Sequence, residues 1–404
     1  MNIENLLKKT LSFSQYRAIN ILGDEFDRLG IRAFLVGGTV RDLLLGKTIT
    51  DIDIVLESDP RDITDKFDAK YELEAVSYSQ FGTCKISLSD QIIDLAMARK
   101  EKYPSPGDLP VVEQASFEDD LARRDFSINA LAAGINHSER CELIDFHDGL
   151  ADLKSKRIRA LHSKSFEDDP TRIFRGLRYS GRLGFGLENK TEEMLIAGLE
   201  FLPLLSGVRI TSEIRKIFSE KNSDAILNAL DQYKVMKYVH EAFPSGSNLI
   251  KRRELLEPLR IDSHNRDLYA FISLIGSTQR QNVIEIMNLG NEFVKFGSDI
   301  ERIELLEGEV SRSDLHDQLK QVSETAMMVA STYVSTKTKS HLDLFMQELN
   351  NIYLLIDGQD LMNLGISEGP RIGEVLSKTL THMIESGPLS KSEQMLVAKR
   401  FLKI

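Results

Sequence analysis

One run near the N-terminus constrains this chain more than any other feature. Leu35-Val36-Gly37-Gly38-Thr39-Val40-Arg41-Asp42-Leu43-Leu44-Leu45-Gly46 is followed closely by Asp51-Ile52-Asp53-Ile54. The apolar residues Ala33 to Val36 predict a short strand, Thr39 to Leu45 a helix, and Asp51 to Leu56 a second strand of alternating character. Paired glycines between a strand and a helix let the backbone approach a phosphate closely, and the helix N-terminus offers it free N–H groups. Asp51 and Asp53 are two apart on a strand, so both carboxylates point to one face. Adjacent carboxylates repel each other unless a cation lies between them. Mg²⁺ suits that place, because it takes hard oxygen ligands and bridges to substrate phosphates. A lone pair of aspartates also fits surface acids or a weak calcium site, and a lone Gly-Gly fits a turn. The combined run is far more specific than either part.

The rest of the first 145 residues reads as mixed α/β. Ser14 to Leu29 has Ile19, Leu22, Phe26 and Leu29 at helical spacing, with Gly30 as a stop. Tyr71–Val76, Thr83–Leu88 and Ile92–Ala98 are further strand candidates. A proline-containing loop, Tyr103 to Pro110, precedes a predicted helical stretch at Phe126–Ala133. Asp94 lies on the apolar strand Ile92-Ile93-Asp94-Leu95-Ala96, which should sit beside the first aspartate strand, and is the candidate third carboxylate. In a two-metal site one ion activates the attacking hydroxyl and the other steadies the leaving pyrophosphate. Beyond about residue 145 helical periodicity dominates, with candidates at Pro170–Leu183, Thr191–Leu199, Thr211–Glu220 and Asp224–Tyr233. The expected fold class is α+β, an N-terminal sheet domain followed by an all-helical extension.

Hydrophobic residues make up 42% of the 404, enough for real cores. No stretch approaches the roughly 20 apolar residues of a membrane span, and MNIENLLKKT lacks the features of a secretory signal. The two cysteines, Cys84 and Cys141, exclude a disulfide framework or a cysteine-rich zinc site. These points predict a soluble cytoplasmic protein with no membrane partner. The net charge of −11 argues mildly against nucleic-acid binding. Distribution matters more than the sum. From Asp152 to Arg182 nine Lys or Arg stand against four acids, which fits either a solvated helix face or a phosphate-binding stripe.

GGTVRDLLLG followed by DID resembles the head-domain signature of the class II tRNA CCA-adding enzymes and bacterial poly(A) polymerases, members of the polymerase-β-like nucleotidyltransferase superfamily. Further segments are similar to that family's later motifs. Asp119-Asp120-Leu121-Ala122-Arg123-Arg124-Asp125-Phe126-Ser127-Ile128-Asn129-Ala130-Leu131 resembles the second, associated with ribose and triphosphate contacts. Leu143 to Leu153 resembles the third, with Phe146 where the family has proline. Asp168-Asp169-Pro170-Thr171-Arg172 opens the fourth, with Asp168 in place of glutamate. Leu205 to Ile214 resembles the fifth, and Gly358–Ile366 with Gly369–Gly373 resembles the tail. The matches are dense over residues 33–215 and return at 358–376.

The resemblance implies a head at 1–145, a neck at 146–220, a body at 221–345 and a tail at 346–404. It implies transfer of CMP, AMP or both from CTP or ATP to the 3′ end of tRNA, with pyrophosphate released. The implied partner is the acceptor end and elbow of tRNA, with no DNA partner; oligomeric state is left open. Asp51, Asp53 and Asp94 are implied as catalytic, the first two as Mg²⁺ ligands. Gly37, Gly38, Arg41, Arg123, Asp125, Asn129, Asp169, Arg172, Arg175 and Arg178 are implied at the nucleotide. Arg182, Arg209, Gly369 and Arg371 are implied at the tRNA.

A carboxylate and an arginine matched to a Watson–Crick edge discriminate bases by about 1–3 kcal/mol per good pair. Asp169 and Arg172, three apart, would share a helix face, and the resemblance implies that they template the incoming base. Asp169 before Pro170 also reads as a helix cap, and Asp168 with Arg172 as an i,i+4 ion pair. Arg172, Arg175, Arg178 and Arg182 fall within about 120° on one helix. The loop Arg99–Asp108 lacks the arginine-rich segment of many complete CCA-adding members. That leaves CC-only or A-only addition as alternatives, ahead of poly(A) synthesis. An RNA-binding module without catalysis, or nucleotidyl transfer to a protein or small molecule, fits the clustered carboxylates and the helical extension less well.

Overall fold

The structure is a computed structural model and describes residues 1–67, 74–79, 82–88, 90–306 and 308–403. It divides into two compact units, Met1–Glu241 and Ala242–Ile404.

The first unit opens with helices α1 (Glu4–Thr10) and α2 (Phe13–Leu29). Ser12 and Gln15 close a capping box at the start of α2, and Gly30 ends it in the left-handed conformation. Strand β1 (Ala33–Val36), α3 (Gly38–Leu44) and β2 (Ile52–Leu56) follow as the sequence predicts. Next come β3 (Glu74–Tyr78), β4 (Thr83–Leu88) and β5 (Gln91–Met97); of the predicted strand Tyr71–Val76, residues 71–73 lie outside those described. β6 (Arg99–Lys102) and β7 (Val111–Gln114) pair as a separate ribbon around the proline loop, and α4 (Phe117–Ala122) follows.

The predicted helix at Phe126–Ala133 is not there. Ser127–Asn129 makes one 3₁₀ turn, and Leu131–Gly134 is a strand, β8, which pairs with β1 on one side and β9 (Leu143–Asp145) on the other. All four β8 residues are buried. A short apolar run buried on both faces has no alternation, so periodicity cannot separate strand from helix there.

The sheet runs β3-β4-β5-β2-β1-β8-β9 among the described residues. Its pairs are antiparallel except β2 with β5, whose parallel register sets Asp53 opposite Asp94. α4 packs on one face, where Phe117 stacks on Phe34 at 3.6 Å between ring centroids. Both rings are fully buried, each worth about 2–3 kcal/mol relative to exposure.

The chain then turns helical. α5 (Gly149–Ser155), α6 (Ser165–Asp168), α7 (Thr171–Leu183), α8 (Asn189–Gly198), α9 (Gly207–Phe218), α10 (Ser223–Gln232) and α11 (Val235–Val239) complete the unit. A two-residue parallel ribbon, β10 (Arg157–Ile158) with β11 (Gly186–Leu187), is set among them. Phe146, where the resemblance predicts proline, is exposed; the turn is held instead by the Asp145 carboxylate, which accepts the N–H groups of His147, Gly149 and Leu150.

The described residues of the second unit are helices and their connections: α12 (Gly246–Leu256), α13 (Arg266–Ser273), α14 (Ser277–Ile286), α15 (Asn291–Glu304), α16 (Arg312–Leu319), α17 (Glu324–Ala330), α18 (Thr336–Gln347), α19 (Gly358–Met362), α20 (Pro370–Ser386) and α21 (Lys391–Leu402). Ile356, Leu361, Val375, Ala398 and Leu402 form a separate apolar core for its last three helices. The α+β architecture is as the sequence predicts. Among the described residues no helix is long and apolar enough to cross a membrane.

Candidate active site

The turn from β1 into α3 sets one wall of the site. Gly37 has φ 62° and ψ −127°, a conformation open to glycine and strained for other residues. A Cβ there would also stand 2.8 Å from Arg124 Nη1. The next turn is tied to the aspartates by one side chain: Thr39 Oγ1 donates to the Asp51 carbonyl (3.1 Å) and accepts the Asp53 N–H (2.9 Å). Asp51 lies just before β2 and is exposed, while Asp53 is inside the strand and half-buried. Burial, and then the neighbouring charges of Asp94 and Asp51, push the Asp53 carboxyl above the ordinary range. A cation beside the pair would relieve that repulsion, so this pair fits a hard divalent ion. Among the described residues no ready-made cage of three or more His, Cys, Asp or Glu is present; Mg²⁺ commonly takes one or two carboxylates and completes its shell with water and phosphates.

Gly37, Gly38, Asp51 and Asp53 open onto a cavity of about 530 Å³, within the range of nucleotide-sized sites. Seven arginines and six carboxylates line it, although the chain as a whole is strongly acidic. Six of these arginines are paired with acids, most of which line the cavity themselves, while Asp120 lies behind the wall. Asp120, fully buried, forks Arg123 Nη2 at 2.6 Å and Arg124 Nη2 at 2.9 Å. Glu101 takes Arg123 Nη1 at 2.7 Å and Arg99 at 3.0 Å, and accepts the Tyr103 hydroxyl at 2.9 Å.

A second chain of polar groups runs from α3 to α7. Arg41 Nη1 donates to Asn129 Oδ1 (2.6 Å), and Asn129 Nδ2 to Asp125 Oδ1 (2.9 Å). Asp125 Oδ2 takes Arg175 through Nε and Nη2 at 2.8 and 2.6 Å. Burial alone would raise the Asp125 pKa; Arg175 and the Asn129 hydrogen bond outweigh it and lower the group to about 2. Asp125 in turn raises Arg175, securing its charge.

Asp169 and Arg172 also line the cavity, but not as a helical pair. Asp169 is extended, ahead of α7, and caps it by accepting the Thr171 N–H at 3.0 Å. Its charged partner is Arg209 from α9 at 2.6 Å, and Arg209 also donates to the Gly107 carbonyl of the proline loop at 2.8 Å. Arg172 is buried: it donates to Ser165 Oγ (2.9 Å) and the Arg123 carbonyl (2.8 Å), and faces His162 Nε2 at 3.2 Å. The alternative reading, an i,i+4 ion pair of Asp168 with Arg172, gives way to a 3.9 Å approach of Asp168 to His162.

The structure therefore gathers Gly37, Gly38, Arg41, Asp51, Asp53, Arg123, Asp125, Asn129, Asp169, Arg172, Arg175 and Arg182 around one cavity. Arg178 instead pairs with Glu220 at 3.2 Å behind it, and Arg209 faces Asp169 and the loop. Gly369 caps α20 and Arg371 is exposed, both in the second unit. Arg99, Glu101, Tyr103, Arg124 and Tyr179 line the cavity without having been singled out as site residues. Arg124 lies in the second motif-like segment, and Arg99, Glu101 and Tyr103 in the loop that bears on which nucleotide is added, but the sequence alone assigns none of them a role.

Residues 33–159 match the family model of the poly A polymerase head domain, and residues 184–245 match that of a probable RNA and SrmB-binding site of polymerase A. The chain is 29% identical to the A-adding tRNA nucleotidyltransferase of Geobacter sulfurreducens, over 98% of this chain but 48% of that one, so it spans about half the length of that relative. It is 28% identical to the A-adding tRNA nucleotidyltransferase of Halalkalibacterium halodurans, over 99% of this chain and 96% of that one. Among solved structures it is similar to the Thermotoga maritima CCA-adding enzyme complexed with tRNA_CCA (TM-score 0.70, 27% identity, 100% and 99% of the two chains covered). It is also similar to a CCA-adding enzyme in complex with ATP (TM-score 0.74, 28% identity, 100% and 98% covered). With these matches falling on the segments that build the cavity, residues 33–159 belong to the poly A polymerase head-domain family, and the chain as a whole is similar in sequence and fold to tRNA nucleotidyltransferases.

Proposed function

We propose that this chain is a Mg²⁺-dependent nucleotidyltransferase that adds CMP, AMP or both to the 3′ end of tRNA in the cytoplasm. The observation that carries this reading is that one nucleotide-sized cavity is lined by the Asp51–Asp53 pair, by Asp169 and Arg172, and by six further arginines. The 3′-hydroxyl of the terminal ribose attacks the α-phosphate of the nucleoside triphosphate, and the bond to pyrophosphate breaks. Asp51 and Asp53 would hold Mg²⁺, which when bound lowers the pKa of the attacking hydroxyl and offsets charge on the departing pyrophosphate. Gly37 and Gly38 allow the triphosphate to lie against the backbone. Arg123, Arg124 and Arg175, aimed by Asp120 and Asp125, give it fixed positive charge. Asp169 and Arg172 read the edge of the base, each already immobilised by protein partners. The helices beyond the head take the tRNA by shape and backbone; we propose that they divide into neck, body and tail near residues 220 and 345.

Incubation with Mg²⁺, labelled CTP or ATP, and tRNAs ending at the discriminator base, at C or at CC tests this. Growth of any primer by one to three nucleotides supports it, and no incorporation on any primer overturns it. Addition of A alone is a specific second reading, favoured by the names of the two sequence relatives described above, one of them matched over nearly its whole length. It requires AMP incorporation on the CC-ended tRNA and none from CTP on the shorter ones.

A further inference from the structure

The sheet brings Asp94 beside Asp53, and three observations define what its carboxylate meets there. The first is register: β4 sets Lys85 opposite Asp94, and β2 sets Asp53 opposite Asp94. Lys85, Asp94 and Asp53 thus form a row across three strands, while their strand neighbours Ile86, Ile93 and Ile54 are buried on the other face. The second is contact: Lys85 Nζ lies 2.7 Å from Asp94 Oδ1 and 2.8 Å from Oδ2, straddling both oxygens. The third is exposure to the cavity, which Asp51 and Asp53 line and Asp94 does not. The hydrogen bond to Asp94 also raises the Lys85 pKa, which keeps the ammonium charged at neutral pH.

We propose that Lys85 is a built-in cation for Asp94. It occupies the place at that carboxylate which a divalent ion would take, leaves the ion to Asp51, Asp53 and substrate phosphates, and so sets how tightly the ion is held. This rests on the reading of Asp51 and Asp53 as metal ligands. Lys85 is a positioning residue in this scheme. It withholds one oxygen donor and places a positive charge beside the ion, and both effects weaken binding.

The test is an equilibrium Mn²⁺ titration of the whole protein by electron paramagnetic resonance, with neither nucleotide nor tRNA present. Lys85 is exposed on β4, so Lys85→Met leaves the core untouched. Lys85→Met should bind Mn²⁺ about tenfold more tightly, the effect of removing one unit charge near a dication in a largely solvated site. Lys85→Arg, which keeps the charge, should stay within about twofold of the natural protein on the same argument. Asp53→Asn added to Lys85→Met should abolish the gain. Unchanged or weaker Mn²⁺ binding in Lys85→Met overturns the proposal, and so does a gain that survives Asp53→Asn. Failure of the two readings is separable. If no tRNA is extended while Lys85→Met still tightens Mn²⁺, the transfer reaction is wrong and the Lys85 assignment stands. Normal extension with unchanged Mn²⁺ binding removes the Lys85 assignment alone.

Discussion

Thr39 holds both the aspartate pair and the glycine turn through a single hydroxyl, so the proposed metal ligands and the proposed phosphate wall are positioned together. Asp51→Ala or Asp53→Ala should abolish nucleotide incorporation while tRNA affinity, measured by filter binding, stays within a few-fold; near-normal activity in either variant would remove the metal-site assignment. Arg209 joins Asp169 to the Gly107 carbonyl. Arg209→Met should lower kcat/KM by roughly 10- to 100-fold, from the loss of about 1.5–3 kcal/mol in charged hydrogen bonds. The tRNA Kd should stay within about twofold; a matching loss in tRNA binding would make Arg209 an RNA contact instead. Asp125 has a pH consequence. Its carboxyl falls from 3.8 to about 2 on folding, so the stability it contributes is fully present above pH 3.8 and is lost as the pH drops through 2. The lost amount is about 2 kcal/mol. Denaturant unfolding between pH 4 and 2 should show a shallower decline in Asp125→Asn than in the natural protein. The aspartate pair was legible because strand alternation is a local rule. The Asp169–Arg209 contact was not, because its partners are 40 residues apart and their meeting depends on how α9 packs.

At the scale of elements, α7 is the piece on which the site depends, since it carries Arg172, Arg175, Arg178 and Arg182. It lies against α10 at Gly181, where an added Cβ would stand 2.4 Å from Ile226 Cγ1. Gly181→Ala should therefore destabilise the fold by about 1–3 kcal/mol through overpacking, read as a lower Tm, and Ile226→Ala in the same protein should recover part of it. An unchanged Tm would mean that α7 and α10 can part without cost. The arginine stripe on α7 was readable from spacing, but its use was not. Arg175 and Arg178 face Asp125, Glu220 and Tyr179, so much of the stripe holds the helix to its neighbours. The run Phe126–Ala133 shows the opposite failure. Its type depended on being sandwiched between β1 and β9, which no window of sequence contains.

Taken as a whole molecule, the chain carries a net charge of −11 and still encloses an arginine-rich cavity. Lys154, Lys156 and Lys164 are exposed near the start of the helical region. If they meet tRNA phosphates, the triple change to Gln should reduce the slope of log K against log salt by about 2, at roughly 0.7–0.9 per contact. An unchanged slope would place the RNA elsewhere. The sequence by itself determined the α+β order of the chain, the strand–Gly-Gly–helix turn and the aspartate pair, because each rests on spacings within a few residues. Only the tertiary structure decided that Asp169 answers to Arg209, that Asp94 answers to Lys85, and that 126–133 ends in a buried strand. Those outcomes follow from sheet register and helix packing between segments far apart in the chain, where burial and charge pairing outweigh local preference.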